Sequence, residues 1–395
     1  MKKRTPDLFD FLKMVPERIK KAENAPSDEI RHVSTYKANA LAAALHPAVQ
    51  HLTVSAVTPL SPDVKLYRLT PDKNAGTEKL APFSAGEYIS VTVKKDGCTY
   101  SRPYSIASSP LEAEYYYEIA VKRVKGGAVS PYIHDNWAVG TSVTASGPCG
   151  DFTYEPLRDA KTVVCAAGGV GITPFRSLAR AVSEGSESFD LILLYCARKE
   201  EDILFKNEFD AMSRIKVVYV LSDEEKPGYE HGFAGAELIK KYAPAGEYSL
   251  FVCGPLAMYR FVGAATEKLG LRRKFVRLEA AGEKNDPKSE PDYTPADKES
   301  YTVKVIQNGT EKTVECGADE TILRALERGG VSAPSRCRSG ECGFCHCRLV
   351  SGKCYIPGSS DGRREADRIY GYIHPCATFP RSDLTVEVPD NPIGD

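Results

Sequence analysis

Residues 162–174 read TVVCAAGGVGITP. An apolar run ends there in a glycine turn that opens onto Thr173 and Pro174, and Pro174 suits the first turn of a helix with Thr173 as its cap. Strand, tight turn and helix in that order make half of a βαβ unit, so a parallel sheet is predicted. Gly169 and Gly171 would let a pyrophosphate approach the backbone, and the helix N-terminus offers amides and a partial positive charge. Taken alone, the glycines fit an unliganded tight turn equally well. Pro174 stands where G-x-G-x-x-G has its last glycine, which marks a variant of the dinucleotide-binding fingerprint.

Beyond this stretch, helical segments alternate with apolar runs: TPFRSLARAV, LILLYCA, EFDAMSRI, KVVYVLS, AELIKKY and LFVCG. That alternation extends the parallel sheet over residues 158–282. Upstream, residues 51–157 change to short alternating segments rich in Val, Tyr and Thr (LTVSAVTPL, VKLYRLT, EYISVTV, YYYEIAVKRV, SVTASG), the pattern of an antiparallel barrel. Residues 1–50 carry two amphipathic patterns, Leu8/Phe11/Leu12/Val15 and Tyr36/Ala40/Leu41/Leu45, and are read as a short helical N-terminal extension. Residues 283–299, dominated by charge and proline, are read as a linker to a last domain, 300–395. That domain opens with a hairpin turning at Asn308-Gly309, followed by a helix capped by Asp319 or Thr321 and stopped at Gly329.

A chain of 395 residues has room for about two to four domains. Its 52 Lys and Arg against 53 Asp and Glu give a net charge of −1, which supplies no field for nucleic acid or an anionic membrane. Charges and prolines break the N-terminal segment where a signal peptide needs an apolar core, and polar residues interrupt the uncharged run from Ala38 to Pro62. The expectation is a cytoplasmic chain with no membrane span and no nucleic-acid partner.

Twelve cysteines are present, seven of them between Cys316 and Cys376. Cys337, Cys342 and Cys345 form C-x4-C-x2-C, and Cys376 follows after 30 residues, the plant-type [2Fe-2S] spacing. Two irons take two thiolates each, and Gly340 and Gly343 let backbone amides approach the anionic cluster. A structural zinc site would want two C-x2-C knuckles, of which only Cys342/Cys345 is present. His346 and His374 lack Rieske spacing and are read as surface or packing residues. Cys347 and Cys354 fall outside the pattern, and Cys98, Cys149, Cys165, Cys196 and Cys316 are read as small apolar residues.

In the barrel, RPYS (102–105) offers a guanidinium, an aromatic ring and a hydroxyl, and GGAVS (126–130) a turn with amides and a hydroxyl. Together with GPCGDF (147–152), GGVGITP (168–174) and CGP (253–255), these stand in the order and spacing of the ferredoxin-NADP reductase superfamily, while CRSGECGFC with Cys376 resembles a plant-type ferredoxin. The resemblance covers about residues 51–395. It implies a multidomain α/β plus β protein: an antiparallel FAD-binding barrel, a parallel-sheet NAD(P)-binding domain and a β-grasp ferredoxin domain. The domain order is similar to that of three-part reductases that feed oxygenases.

The resemblance further implies that Arg102 binds flavin phosphate, Tyr104 packs on the flavin ring and Ser105 donates toward its N5, while Gly127, Val129 and Ser130 hold the FAD pyrophosphate. Gly169, Gly171 and Thr173 would hold the nicotinamide dinucleotide's pyrophosphate. Cys253 would lie near the hydride-giving carbon, with Gly254 and Pro255 in the same turn, and Glu279 beside the flavin. Ser105, Cys253 and Glu279 are thus the expected catalytic groups. Where relatives often carry an aromatic flavin cover this chain has Ala281, which leaves the N-terminal extension or the ferredoxin domain to supply one.

NAD(P)H gives two electrons as hydride and a [2Fe-2S] cluster takes one, so a flavin stands between them and a redox acceptor protein follows; FAD is favoured over FMN because the GGAVS turn gives a place for a second phosphate. Arg198-Lys199 would suit a 2′-phosphate and Glu200-Glu201-Asp202 a ribose diol, while the whole run fits a solvated helix start at least as well; the lean is toward NADH. The alternative is a non-catalytic electron-transfer subunit of a larger oxidoreductase complex. The run from Pro357 to Arg368 is read as an exposed loop.

Overall fold

The computed structural model describes residues 8–23, 37–279, 282–283 and 286–391. Both N-terminal patterns are helices, α1 (Leu8–Glu23), with Pro16 inside it, and α2 (Lys37–Leu45), which is exposed along its length. Tyr36 and the polar stretch between the helices lie outside the described residues, as does Ala281.

The barrel is a six-stranded antiparallel sheet of β1 (Gln50–Ser61), β2 (Val64–Pro71), β3 (Tyr88–Lys95), β4 (Cys98–Ser105), β5 (Tyr117–Lys122) and β6 (Ser142–Ala145), in the order β4-β3-β6-β1-β2-β5. Period-two alternation sends Leu52, Val54, Tyr67, Leu69, Ile89, Val91, Ile119 and Val121 into one core, closed by Trp137 just after α3 (Ser130–Asn136). Strand β4 is absent from the sequence-derived strand set. Its segment CTYSRPYS has few aliphatics, and all eight residues are half-buried, so alternation does not mark it.

The second sheet contains β7 (Thr162–Gly168), β8 (Asp190–Ala197), β9 (Lys216–Leu221), β10 (Glu230–His231), β11 (Ser249–Cys253) and β12 (Val276–Leu278), paired in parallel in the order β10-β9-β8-β7-β11-β12. Helices α4 (Thr173–Glu184), α5 (Lys206–Asp210), α6 (Ala236–Tyr242) and α7 (Leu256–Leu269) cross between strands. Thr173 is not a cap: it is the first residue of α4, and its hydroxyl donates to the Val170 carbonyl at 3.1 Å. Arg176 of α4 ties this sheet to the barrel, donating to Glu118 at 2.7 Å, the Ala107 carbonyl at 3.0 Å and Glu208 at 2.8 Å, while Arg180 makes a bidentate pair with Glu112.

The C-terminal domain begins with β13 (Ser300–Gln307) and β14 (Thr310–Gly317), joined by Asn308 and Gly309 at φ 52° and 71°, the type I′ turn expected of Asn-Gly. Thr321 accepts the Arg324 N–H and caps α8 (Ile322–Arg328), which ends at Gly329. After it come β15 (Cys347–Ser351), β16 (Cys354–Tyr355), α9 (Glu365–Ile369), β17 (Tyr372–Ile373), β18 (Phe379–Pro380) and β19 (Leu384–Glu387). The five-stranded sheet runs β14-β13-β19-β15-β17, and its core joins Val303, Val305, Leu323, Leu326 and Val386 to Cys345 and Cys376. Ahead of this domain, Asp292 takes the Tyr355 hydroxyl at 3.0 Å and the Gly358 N–H at 2.7 Å, so the charged stretch lies against the domain it introduces.

Candidate redox centre

Strand β4 is an edge strand, and it carries three of the predicted flavin residues. Ser105 pairs with Tyr88, Tyr104 with Ile89 and Arg102 with Val91 on β3. The Tyr104 ring packs against the barrel core, and burial pushes its hydroxyl's pKa up. Among the described residues Arg102 is bonded through Nη1, to the Ser101 carbonyl at 2.7 Å and to both Glu327 oxygens at 3.1 Å, which leaves the other edge of the guanidinium for an anion. In the second element, Ser130 Oγ accepts the Val124 N–H at 3.0 Å and the Gly127 N–H donates to the Val124 carbonyl at 3.0 Å, closing the turn. The Val129 side chain is buried in the barrel core, so only its backbone can face a cofactor. A half-covered edge strand bearing a ring, a hydroxyl and a free guanidinium edge fits a flavin and its phosphate.

At the nucleotide turn the glycines divide into two roles. Gly169 lies at φ 54° with open space where a side chain would project, so a phosphate can approach its backbone. Gly171 is instead a packing residue: a methyl there would lie 2.4 Å from the Cys253 carbonyl oxygen. The turn is therefore locked against Cys253-Gly254-Pro255, with Gly168 and Gly254 in contact beneath Met258. Cys253 is buried at the end of β11, and burial pushes its thiol's pKa up. Tyr259, which sequence reasoning did not single out, accepts the Gly254 N–H at 3.1 Å and donates to the Glu279 carbonyl. It thus fixes two predicted site residues at once, from a helix position with no motif around it. Burial, followed by the nearby Glu341, Cys337 and Asp151, pushes the Glu279 carboxyl up to about 8. Those neighbours come from the cluster loop and the barrel, so Glu279 sits where all three domains meet.

The four predicted cluster cysteines come together in two pairs. Cys345 and Cys376 sulfurs are 3.4 Å apart, and the Cys342 thiol lies beside that of Cys337. The N–H groups of Ser339 and Cys342 point at the Cys337 sulfur at 3.4 Å, and that of Phe344 at the Cys342 sulfur at 3.5 Å. The Cys342 thiol and these amides hold Cys337 well below the usual thiol range. Among the described residues no three His, Cys, Asp or Glu converge on one point that could hold a single metal ion. Two dithiol pairs ringed by amides instead suit a two-iron cluster. The loop's course depends on Gly340, at φ 88°, where a methyl would lie 2.1 Å from the Ser360 carbonyl oxygen. His346 and His374 brace the same loop through contacts with the carbonyls of Gly343 and Gly340 at 2.7 and 2.6 Å; His374 is buried and His346 exposed.

The cluster loop abuts the barrel. Ser90 of β3 donates to the Arg336 carbonyl at 3.3 Å, Cys98 of β4 lies 3.7 Å from the Arg328 carbonyl, and Tyr88 lies near Cys149, Cys342 and Cys337. All twelve cysteines are free thiols. No described helix is long and apolar enough to cross a membrane.

Comparison with known proteins agrees with this geometry. Residues 51–154 match the oxidoreductase FAD-binding domain, 166–264 the oxidoreductase NAD-binding domain and 305–381 the 2Fe-2S iron-sulfur cluster binding domain. The chain is 31% identical over 356 residues to phenoxybenzoate dioxygenase subunit beta of Ectopseudomonas oleovorans, covering 88% of this chain and 100% of that one. It is 27% identical over 323 residues to the glycine betaine monooxygenase reductase subunit of Chromohalobacter salexigens, covering 77% and 87% respectively. Among solved structures it is similar to phthalate dioxygenase reductase, with a TM-score of 0.63 and 26% identity over 86% of this chain and 98% of that one. The chain belongs to the ferredoxin-NADP-reductase-like flavoreductases that carry a [2Fe-2S] domain, and it is an oxidoreductase with FAD-binding, NAD-binding and iron-sulfur domains.

Proposed function

We propose that this chain is a cytoplasmic, NADH-dependent reductase that passes electrons singly to a separate redox protein, the terminal component of an oxygenase. The observation that carries the proposal is the meeting of three elements: the Cys253 and Glu279 end of the parallel sheet, strand β4 with Ser105, and the loop of Cys337 and Cys342. In this reading residues 51–157 hold FAD, 158–282 the dinucleotide and 300–395 the cluster, with 283–299 between them and 1–50 preceding them. When bound, the nicotinamide supplies hydride, FAD accepts the pair and releases it one electron at a time, and the cluster carries single electrons outward.

The chain contributes placement and charge. Arg102 binds the flavin phosphate through its open edge, Tyr104 packs on the ring and Ser105 donates toward N5, while the Gly127–Ser130 turn receives the second phosphate. Gly169 and the start of α4 receive the dinucleotide's pyrophosphate, and Gly171, Gly254 and Pro255 set the depth of the nicotinamide pocket beside Cys253. Cys337 and Cys342 hold one iron, Cys345 and Cys376 the other. Asp223, at the carboxyl end of β9, accepts from Arg198 Nε at 2.8 Å. With that guanidinium neutralised and a carboxylate in its place, a ribose diol is favoured over a 2′-phosphate. None of the twelve cysteines is joined in a disulfide, which accords with a reducing compartment.

Anaerobic rapid mixing with NADH tests the proposal: flavin absorbance should bleach before cluster absorbance. Simultaneous bleaching, or a cluster that stays oxidised, would reject it. An isolated chain whose flavin NADH fails to reduce would be an electron-transfer subunit instead.

A further inference from the structure

The flavin strand and the cluster loop share one buried anion. Glu327, in the last turn of α8, is 2% exposed, yet its partners come from outside its own helix. Its carboxylate accepts the Ser101 N–H of β4 at 3.1 Å, Arg102 Nη1 at 3.1 Å, and Arg338 Nη1 and Nη2 at 2.7 and 3.0 Å. Arg338 directly follows Cys337, has a left-handed backbone at φ 58° and is 1% exposed. Its guanidinium also pairs with Glu283. Two cations and two anions therefore close a quartet between the barrel and the iron-sulfur domain, with Glu327 and Arg338 buried at its centre.

We propose that Glu327 is a positioning residue for electron transfer from flavin to cluster, the group that holds the iron-sulfur domain in register on strand β4. This rests on the flavin-to-cluster route given above. Charges withdrawn from water in this way are a poor means of stabilisation, since desolvation offsets most of their attraction, but their directional bonds select one docked arrangement over its neighbours. A β4 amide left unpaired at the sheet edge has one acceptor at one depth, and the same carboxylate fixes the residue after Cys337. Tyr104 and Ser105 lie three and four residues along the strand from Ser101, so the tie reaches both ends of the transfer. The step moves one electron, with reduced flavin the donor and one ferric ion of the cluster the acceptor; no bond between them forms or breaks. Arg102 meets Glu327 through Nη1 alone, and its other edge keeps the flavin phosphate, so the flavin stays seated when Glu327 is changed.

The test is Glu327→Gln in the full-length protein with its cofactors, followed by anaerobic rapid mixing with NADH and by hydrogen exchange. The flavin-bleaching phase should stay within about twofold of the parent. The cluster-bleaching phase should slow by roughly tenfold or more, as expected when a reacting pair is misplaced. Peptides covering β4 should exchange faster, while the paramagnetic spectrum of the chemically reduced cluster should not change. A cluster phase at parental speed, or equal slowing of both phases, overturns the proposal. Should Glu327→Gln fail to retain its cofactors, Glu327→Asp, which keeps the charge and shortens the reach, is read in the same way. A parent protein without two ordered phases would instead defeat the electron route itself.

Discussion

A methyl group added at Gly171 and one added at Gly169 should impair different steps, although the residues are two apart in the same turn. At Gly171 the new carbon would lie 2.4 Å from the Cys253 carbonyl oxygen, 2.7 Å from its carbon and 2.8 Å from Gly254 Cα. All three are backbone atoms, so no side chain can swing aside, and restoring ordinary contact needs a shift of roughly 1 Å. Overpacking of this kind costs about 1–3 kcal/mol. Because the displaced atoms belong to Cys253 and Gly254, hydride transfer should slow as well. At Gly169 nothing lies within 4 Å of the added carbon, and the cost is that of a left-handed alanine at φ 54°, about 1–2 kcal/mol. That methyl points into the space assigned to the pyrophosphate, so the apparent KM for NADH should rise about tenfold while the flavin stays bound. Chemical denaturation followed by flavin release, with the NADH dependence of flavin bleaching, separates the two. Gly171→Ala with parental stability and rate, or Gly169→Ala with parental NADH dependence, would refute the division of roles.

Other outcomes follow from the same geometry. Serine at Cys337, Cys342, Cys345 or Cys376 should remove iron and the cluster's visible bands while flavin reduction by NADH persists; alanine at Cys347 or Cys354 should leave iron content unchanged. Asp223→Ser frees Arg198 and should raise kcat/KM for NADPH relative to NADH by about tenfold, the worth of one charge-assisted contact. The Glu279 carboxyl, pushed up from 4.5 to about 8, is protonated at neutral pH in the folded protein and ionised in the unfolded chain. Its contribution to stability is therefore full below pH 4.5 and lost as pH rises through 8. Glu279→Gln should accordingly gain stability relative to the parent across that window in pH-dependent unfolding, and a constant difference would contradict the assignment.

Local chemistry was legible in the sequence wherever neighbours along the chain decide the outcome. Asn308-Gly309 closes its hairpin, Thr321 caps α8, and the cysteine spacing brings four thiols into two pairs. Strand β4 escaped because it has few aliphatics and all its residues are half-buried, at the sheet edge and against the iron-sulfur domain, so no alternation marks it. Thr173 read as a cap because the cap signal is a residue type, whereas the 3-10 turn before α4 carries the chain into the helix one residue early. Glu327 and Arg338 look like ordinary surface charges in LERGG and RCRSG; only the tertiary fold buries them together, across 11 residues and against a third partner on β4. Arg176 hides in the same way, since the helical pattern of TPFRSLARAV gives no sign that Glu118 lies behind it.

The most direct measurement is an anaerobic titration of the purified chain with NADH, read by visible absorbance and paramagnetic resonance together. The account predicts that about three reducing equivalents enter each chain, a pair at the flavin and one at a cluster whose signal grows in as its colour fades. Uptake of the pair alone, with no paramagnetic iron-sulfur signal from a protein that contains iron, would contradict it.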